Sequence, residues 1–469
     1  MRRGSLFSLV TMFILSGCVS YAAEELTPSS APPVYSAEGA DLDLQVDQQI
    51  HRRVIPLPLE DERTDVNLGS GREPIPVCVM QDERETCITL EPDVPQDMVL
   101  RFADGEKTLR FSYLGPQAQF SQAYQAAHRG RIDIEVPRAY ELVNVGLSLT
   151  PYAAENLGLT ASSPYLDDVR SYFADHADAA FVQRLDDLMR EDASSYHTLK
   201  MNGAAFELAD DNTLTRSEIY RSSAWTGNDL LPLMEDMQAF ARFSDFSKFY
   251  AEHTQLYASQ IAYLRDEVDV PGMILWLGAE FPDVAPYDHT RILFSPLVGY
   301  NQSLKTFDED GFRQSMPHVN FPYPEEIDAQ LSRDALAVYR GLILFTELNH
   351  GYINPTIEPY SSQIEAAMPD LSLWVGNETA AGYGNGTGIF TEMTNWALVS
   401  VHAYDVLPEA EADQIAERVE RIMVRNRGFT RFDKFQARML ALFRSQPANE
   451  PIADIFPELV ASLPDMLSE

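Results

Sequence analysis

The chain lacks three features that would assign it to a common class of protein. It has only three cysteines, and two as close as Cys78 and Cys87 do not form a zinc site without further ligands nearby. Its 35 basic residues face 71 acidic ones, and the net charge of −36 repels nucleic acid, so nucleic-acid binding is excluded. Near the N-terminus, the apolar run from Leu6 to Leu15 is about ten residues long, too short to span a bilayer.

What the N-terminus does have is the pattern of a bacterial secretory signal. A basic start at Arg2 and Arg3 precedes the apolar run, which ends in Leu-Ser-Gly-Cys at Cys18. This ending resembles a lipobox, in which the cysteine thiol is lipidated and the chain is cut just before it. The sequence predicts a signal peptide over 1–17, a membrane anchor on Cys18 and, from Val19, sorting to the outer membrane. The alternative is an ordinary signal peptide with an incidental cysteine.

Composition and periodicity divide the remaining chain into three parts. Residues 18–72 are rich in Pro, Ser, Ala and acidic residues, which predicts a flexible, lipidated tether. Residues 73–135 alternate in the manner of strands, with a hairpin turn at Asp104-Gly105, which predicts a small antiparallel β domain. Residues 136–469 have mainly helical periodicity. The apolar segments GMILWLGAEFP and TRILFSPLVGY are predicted to be buried strands within this part.

The two remaining cysteines flank a polar turn in the segment PVCVMQDERETCITL. A hairpin would bring Cys78 and Cys87 within reach of a disulfide, and an exported protein enters an oxidising compartment that favours one. The alternative is two free thiols.

A short motif lies in the apolar helical segment RDALAVYRGLILFTELNHGYINP, whose end is predicted at Asn354-Pro355. The run Thr346-Glu347-Leu348-Asn349-His350 differs by one residue from the H-E-x-x-H helix of zinc peptidases. Glu347 occupies the position of the general base, and His350 that of the second zinc ligand. Thr346 stands where the first histidine belongs, and threonine is a poor zinc ligand.

A second helix is predicted over about 388–404, and it places Glu392 close to the core. Three histidines could supply a missing ligand, namely His289, His318 and His402. His402 lies nearly three turns beyond Glu392, too far along the helix to reach the same metal.

The segments YLDDVRSYFADHADAAFV, ILFSPLVGYN, FTELNHGYINP and FTEMTNWALVSV, in this order, resemble an uncharacterised bacterial family of unknown function. That family has a gluzincin-like zinc metallopeptidase pattern, and the resemblance covers about 137–410. It implies an α+β fold, with the small β domain followed by a larger, mainly helical metallopeptidase-like domain. It also implies that Glu347 is the catalytic base and that His350 and Glu392 are zinc ligands.

Thr346 departs from that family pattern and leaves three functions open. The first is an envelope-anchored lipoprotein with an altered or lost zinc site that binds a peptide or protein. The second is an active zinc peptidase with a non-standard ligand set. The third is a structural envelope lipoprotein, which would be favoured if Glu347, His350 and Glu392 lay far apart.

Overall fold

The structure is a computed structural model, and the description covers residues 34–36, 41–46, 53–56, 63–81, 84–102, 105–156, 158–225, 227–299, 302–376, 383–447 and 450–468. The predicted signal peptide and the predicted lipidation site, Cys18, lie outside these residues. The chain forms two compact units, one of Met1–Val66 with Pro74–Tyr113 and one of Asn67–Glu73 with Leu114–Glu469. The architecture is mixed α/β, with N-terminal strands followed by a mainly helical region.

Eight N-terminal strands form two four-stranded sheets. They are β1 (Val34–Ser36), β2 (Asp41–Val46), β3 (Arg53–Pro56), β4 (Arg63–Ser70), β5 (Ile75–Gln81), β6 (Arg84–Leu90), β7 (Gln96–Phe102) and β8 (Gly105–Leu114). The strand orders are β1-β7-β8-β4 and β3-β2-β5-β6.

Four of these strands correct the predicted tether. The strands β1 to β4 lie between residues 34 and 70, so the prediction of a flexible tether over 18–72 was wrong for those segments. The sequence of β2, Asp-Leu-Asp-Leu-Gln-Val, has the period-two alternation of a strand. The strand β2 pairs with β5, more than thirty residues away. Because β2 is rich in acidic residues, it was assigned to the tether and its alternation was not recognised.

The two predicted hairpins are present. The strands β7 and β8 pair antiparallel, with Phe102 opposite Gly105. The strands β5 and β6 pair antiparallel with Cys78 directly opposite Cys87, and a disulfide joins the two residues.

The second unit contains seventeen described α-helices. They are α1 (Gln122–His128), α2 (Arg138–Ser148), α3 (Pro151–Glu155), α4 (Pro164–Tyr172), α5 (Ala180–Glu191), α6 (Ser195–Asn202), α7 (Met234–Phe243), α8 (Phe246–Glu252), α9 (Thr254–Glu267), α10 (Val270–Glu280), α11 (Arg333–Ile357), α12 (Ser361–Ala367), α13 (Gly386–Val406), α14 (Glu409–Arg421), α15 (Phe432–Ser445), α16 (Phe456–Ala461) and α17 (Asp465–Ser468). Among the described residues, no helix has the length and apolar character needed to cross a membrane.

A four-stranded sheet lies at the centre of this unit. Its strands are β9 (Arg131–Glu135), β12 (His289–Ser295), β13 (Ser303–Glu309) and β14 (Phe312–Asn320), in the order β13-β14-β12-β9. A separate small hairpin joins β10 (Phe206–Leu208) to β11 (Leu214–Arg216). The strand β9 was predicted to belong to the N-terminal β domain. It pairs instead with β12, about 160 residues later, so the boundary near residue 135 was wrong.

One predicted strand is a helix. The segment GMILWLGAEFP lies largely in α10, which begins after Asp269, whose side chain accepts a hydrogen bond from the Gly272 amide. A continuous apolar run is compatible with a buried strand or a buried helix, and this N-cap favours the helix. The companion segment TRILFS lies in β12, as predicted.

Candidate functional site

The helix α11 carries Thr346, Glu347 and His350 and is buried over most of its length. Ser332 caps its start by accepting a hydrogen bond from the Ala335 amide, and Asp334 follows in the first turn. Leu344, Phe345 and Leu348 are among its many buried side chains.

The helix continues through Pro355 to Ile357, so the predicted end at Asn354-Pro355 was wrong. Proline has no N–H to donate to the carbonyl four residues earlier, which is that of Gly351. The Tyr287 hydroxyl donates to this carbonyl instead, at 3.1 Å. Gly351 also leaves room for that hydroxyl, because a Cβ there would lie 2.7 Å from it.

The helix α13 carries Glu392. Its first turn is held by two side chains: Asn385 accepts from the Gly388 amide, and Glu365 accepts from the amides of Gly386 and Thr387. Gly384, which precedes the N-cap residue Asn385, has a positive φ. These contacts set the position at which α13 begins, and therefore the position of Glu392 two turns later.

His350 and Glu392 face each other across the two helices. The Nε2 atom of His350 lies 3.8 Å from Oε2 of Glu392 and 3.0 Å from the side-chain nitrogen of Asn395. Its Nδ1 atom lies 3.2 Å from Oδ1 of Asn354. When the ring is neutral, Asn395 donates to Nε2 and the ring proton on Nδ1 is donated to Asn354. Both ring nitrogens of His350 therefore have protein partners.

An arginine that the sequence did not single out completes the site. The guanidinium of Arg427 pairs with Oε1 of Glu392 at 2.6 Å, and the indole N–H of Trp396 donates to the same oxygen at 2.9 Å. Arg427 also donates to the Tyr383 hydroxyl and lies 4.9 Å from the Trp396 ring.

A π-turn over Ile422–Asn426 places Arg427, whose backbone N–H bonds to the Ile422 carbonyl five residues earlier. Such turns occur frequently at functional sites. Sequence periodicity gives no signal for one extra residue in a helical turn, and Arg427 lies far from Glu392 along the chain. This arginine could therefore not have been found from the sequence pattern.

The two carboxyl groups of the site titrate in opposite directions. Burial raises the pKa of Glu347 to about 7, and nearby Glu392 raises it further, against His350, Lys200 and Arg427. Burial also acts to raise the pKa of Glu392, but Arg427 and His350 outweigh it and the pKa is lowered. Burial lowers the pKa of Lys200 to about 7, and Lys200 was also missed by the sequence prediction. Glu347 is thus the carboxyl group whose charge changes near neutral pH.

Thr346 does not point its hydroxyl toward a shared ligand position. Its Oγ1 donates to the Ile343 carbonyl of its own helix at 2.8 Å, and the residue is buried. This bond within the helix is the usual arrangement for threonine in a helix interior.

These donors do not fit a zinc ion as they are arranged. Zinc needs three protein ligands with free lone pairs directed at one point. Both ring nitrogens of His350 are hydrogen-bonded, and the Thr346 hydroxyl is bonded to its own helix. The Glu392 carboxylate is paired with the positively charged guanidinium of Arg427. In the part of the chain that the structure describes, no three His, Cys, Asp or Glu side chains are grouped as a metal site. The assignment of His350 and Glu392 as zinc ligands, and of Glu347 as the base, remains a prediction.

His289 belongs to a different network. Its Nε2 donates to Asp133 at 3.0 Å, and its Nδ1 accepts from Gln314 at 2.7 Å. The second amide proton of Gln314 goes to Tyr124 and its oxygen accepts from Tyr220, while the two tyrosine hydroxyls lie 3.0 Å apart. The Tyr220 hydroxyl proton is used in the bond to Gln314, so Tyr124 must be the donor between the two tyrosines. Gln314, Tyr124 and Tyr220 therefore form a closed ring of hydrogen bonds. Both nitrogens of His289 are occupied, and burial lowers its pKa to about 4.

The other two histidines lie in separate surroundings. His318 is fully buried beside Tyr140, with ring centroids 5.6 Å apart, and its ring nitrogens find no hydrogen-bond partner among the described residues. His402 packs against Phe345 and Trp276. No described ion pair or hydrogen bond links either histidine to His350 or Glu392.

The chain matches no protein-family model, no curated protein and no solved structure. The family resemblance therefore rests on the four sequence segments and their order.

Proposed function

We propose that this protein is an envelope-anchored bacterial lipoprotein whose second unit is metallopeptidase-like, has lost its zinc site, and binds a peptide or protein without cleaving it. The observation that supports the loss of zinc is the ion pair between Arg427 and Glu392. A guanidinium is always charged, so it supplies at this carboxylate the positive charge that a metal ion would bring. Binding of a metal beside it would place two cations together.

The surroundings of Glu347 support a binding role. No described residue forms a hydrogen bond or ion pair with the Glu347 carboxyl group. Burial raises the pKa of this group to about 7. A peptide carries both N–H groups and carbonyl groups. Because Glu347 changes its protonation near neutral pH, it can accept from the former when ionised and donate to the latter when protonated. His350 is partly exposed beside it.

The lipid on Cys18 would hold this unit at a membrane surface, and several acyl chains on one residue make such an anchor stable. A purely structural lipoprotein would be favoured by a dispersed set of site residues. His350 and Glu392 lie 3.8 Å apart, and Glu347 is within electrostatic range of both, so this alternative loses its main support.

Metal analysis tests the loss of zinc. The full chain, purified in detergent and dialysed against zinc, is expected to hold no stoichiometric metal, whereas Thr346→His with Arg427→Met is expected to bind one equivalent. Arg438→Met removes a surface arginine paired with Glu458 and is the matched control. Stoichiometric zinc in the wild type that disappears in His350→Ala would support the active, non-standard zinc peptidase instead.

Peptide binding is tested separately on the same protein. A fluorescent, unstructured peptide pool is expected to bind the wild type, to bind Glu347→Ala at least tenfold more weakly, and to stay intact on prolonged incubation. Cleavage that zinc chelation abolishes would contradict a non-cleaving role. A pool that does not bind at all would contradict the proposal.

A further inference from the structure

The central sheet of the second unit has one face that is polar although much of it is buried. The strand registers place alternate residues of all four strands on this face, among them Asp133, Glu135, His289, Arg291, Lys305 and Gln314. Sheets that contain parallel strands covered by helices normally present apolar side chains on both faces. A buried polar face therefore calls for a reason other than packing.

A cavity of about 420 Å³ lies over one end of this face. Glu135, His289 and Arg291 form part of its floor, while Arg138 and Glu207 are among its walls. This volume falls within the range of about 300–1,000 Å³ that is typical of small-molecule sites. None of the residues of the Glu347 site lines it.

The floor side chains are already paired with other protein groups. Arg291 pairs with Glu135 at 2.9 Å and lies over the Tyr220 ring at 5.3 Å. His289 is bonded to Asp133 and to Gln314, and Gln314 belongs to the closed ring with Tyr124 and Tyr220 described above. A side chain whose partners are all supplied by the protein orients its neighbours and offers little to a ligand.

The walls, in contrast, carry charges of both signs that are weakly engaged. Arg138 pairs with Asp210, but the Asp210 side chain is 87% exposed, and such surface pairs contribute little. The Arg138 guanidinium also lies over the Tyr250 ring, 5.2 Å from its centroid. Among the described residues, no side chain forms an ion pair or hydrogen bond with the Glu207 carboxylate. Arg138 opens α2, whose N-cap Pro137 has no side chain that could accept from the first amides. A carboxylate near Arg138 would meet both the guanidinium and these amides.

Apolar residues line the cavity as well. Phe206, Leu208 and Ile219 also line the cavity, together with the ring of Tyr220. The cavity thus combines a cation, an anion and an apolar surface in a volume suited to a molecule of one to a few residues.

We propose that this cavity binds a small zwitterion with an apolar side chain, either a free amino acid or a peptide of two or three residues with unblocked ends. The ligand carboxylate pairs with Arg138, its ammonium group pairs with Glu207, and its side chain lies on the apolar wall. This site is separate from the Glu347 site, so the two proposals stand or fall independently.

Calorimetric titration of the full chain in detergent tests this site with four probes: alanyl-phenylalanine, its N-acetylated form, its C-amidated form and free phenylalanine. The unblocked dipeptide is expected to bind, and each blocking group is expected to weaken binding at least tenfold. Binding of free phenylalanine with equal or higher affinity would identify an amino-acid site, and weaker binding a peptide site. Failure of all four probes to bind, or equal affinity for blocked and unblocked dipeptides, would overturn the proposal.

Two variants assign the ends of the ligand. Arg138→Gln is expected to weaken binding of the unblocked dipeptide tenfold or more, so that the unblocked and C-amidated dipeptides bind with similar affinity. Glu207→Gln is expected to make the unblocked and N-acetylated dipeptides bind with similar affinity. Arg190→Gln removes a surface arginine that pairs with Glu155 and should leave all affinities unchanged. If the blocked ligands respond to these variants as strongly as the free dipeptide does, the assignment of the ends is wrong.

Discussion

Two groups of buried polar side chains in the second unit differ in how completely the protein satisfies them. In the first group, Gln314, Tyr124 and Tyr220 form a closed ring of hydrogen bonds, and His289 links that ring to Asp133, so that every donated proton has an acceptor. In the cluster around Glu347, the Arg427–Glu392 pair is complete, whereas the Glu347 carboxyl group has no described hydrogen-bond partner.

This difference separates polar groups that build the fold from those available to a ligand. Buried polar groups are nearly always hydrogen-bonded, so a buried carboxyl group without a hydrogen-bond partner requires a separate explanation. The closed network explains why His289, a candidate ligand in the sequence, is structural. The incomplete cluster keeps Glu347 as the residue on which the proposed binding depends.

The largest expected effect comes from breaking the complete part of the cluster. Arg427→Met leaves the Glu392 carboxylate buried without its partner and should lower the free energy of unfolding by about 3 kcal/mol or more. Chemical denaturation measures this change. Adding Glu392→Gln should recover much of the loss. Arg438→Met, whose partner Glu458 is largely exposed, should change stability by less than about 1 kcal/mol. Equal changes in the free energy of unfolding for the two arginine variants would show that the buried pair stabilises the protein no more than the exposed pair does.

A second test uses the ionisation of Glu347. Burial raises its pKa to about 7 from the ordinary 4.5, so the folded protein holds a proton that the unfolded chain has already released. Stability from this group is therefore complete below about pH 4.5 and is lost as the pH rises to 7. Glu347→Gln should remove this decline, which amounts to ~3 kcal/mol.

Denaturant unfolding at intervals from pH 4 to 9 measures the slope. Lys200 acts in the opposite sense above this window, since burial lowers its pKa to about 7 and stability rises as the pH climbs from there toward 10.5. Below about pH 6.5 the buried histidines whose pKa is lowered, such as His289, make stability rise with pH, so the contribution of Glu347 is the difference between the wild-type and Glu347→Gln profiles. The exposed Glu420→Gln is the control and should reproduce the wild-type profile. A Glu347→Gln profile that parallels the wild type would argue against a buried, uncompensated carboxyl group.

A third, smaller effect is expected in the closed network. Gln314→Met keeps the volume but leaves His289, Tyr124 and Tyr220 each without one partner, at a cost of ~2 kcal/mol. Gln183→Met removes an exposed amide that donates to the Asp178 carbonyl and should be nearly neutral. Peptide binding at the Glu347 site should be unchanged by Gln314→Met. Loss of that binding with stability intact would contradict the separation of the two groups.

The sequence predicted well those features that depend on neighbours along the chain. The β7–β8 hairpin and the opposed pair Cys78 and Cys87 follow from local patterns. The family resemblance, not a local pattern, implied that His350 and Glu392 lie together, and their side chains are 3.8 Å apart. What the sequence missed depends on distant partners. The strand β9 pairs with a segment far away, and Arg427 reaches Glu392 only because of a π-turn.

The end of α11 shows the same limit at a single residue. Asn354-Pro355 is a sound stop signal when the chain alone is considered, because proline removes a helical hydrogen bond. The Tyr287 hydroxyl replaces that bond from another segment, and the helix continues to Ile357. No local pattern can report a donor that lies more than sixty residues away.

The smallest expected effect tests this replacement. Tyr287→Phe keeps the ring but leaves the Gly351 carbonyl without its donor, and should cost ~1 kcal/mol. In a Pro355→Ala background the backbone N–H of Ala can bond to Gly351, so the same change should cost clearly less. Denaturant unfolding of the four proteins gives the coupling energy. Tyr172→Phe removes a hydroxyl that donates to the Asp245 carbonyl and should cost the same in both backgrounds. If Tyr287→Phe also costs the same in both, the hydroxyl does not replace the bond that proline lacks, and the continuation of the helix past Pro355 must have another cause.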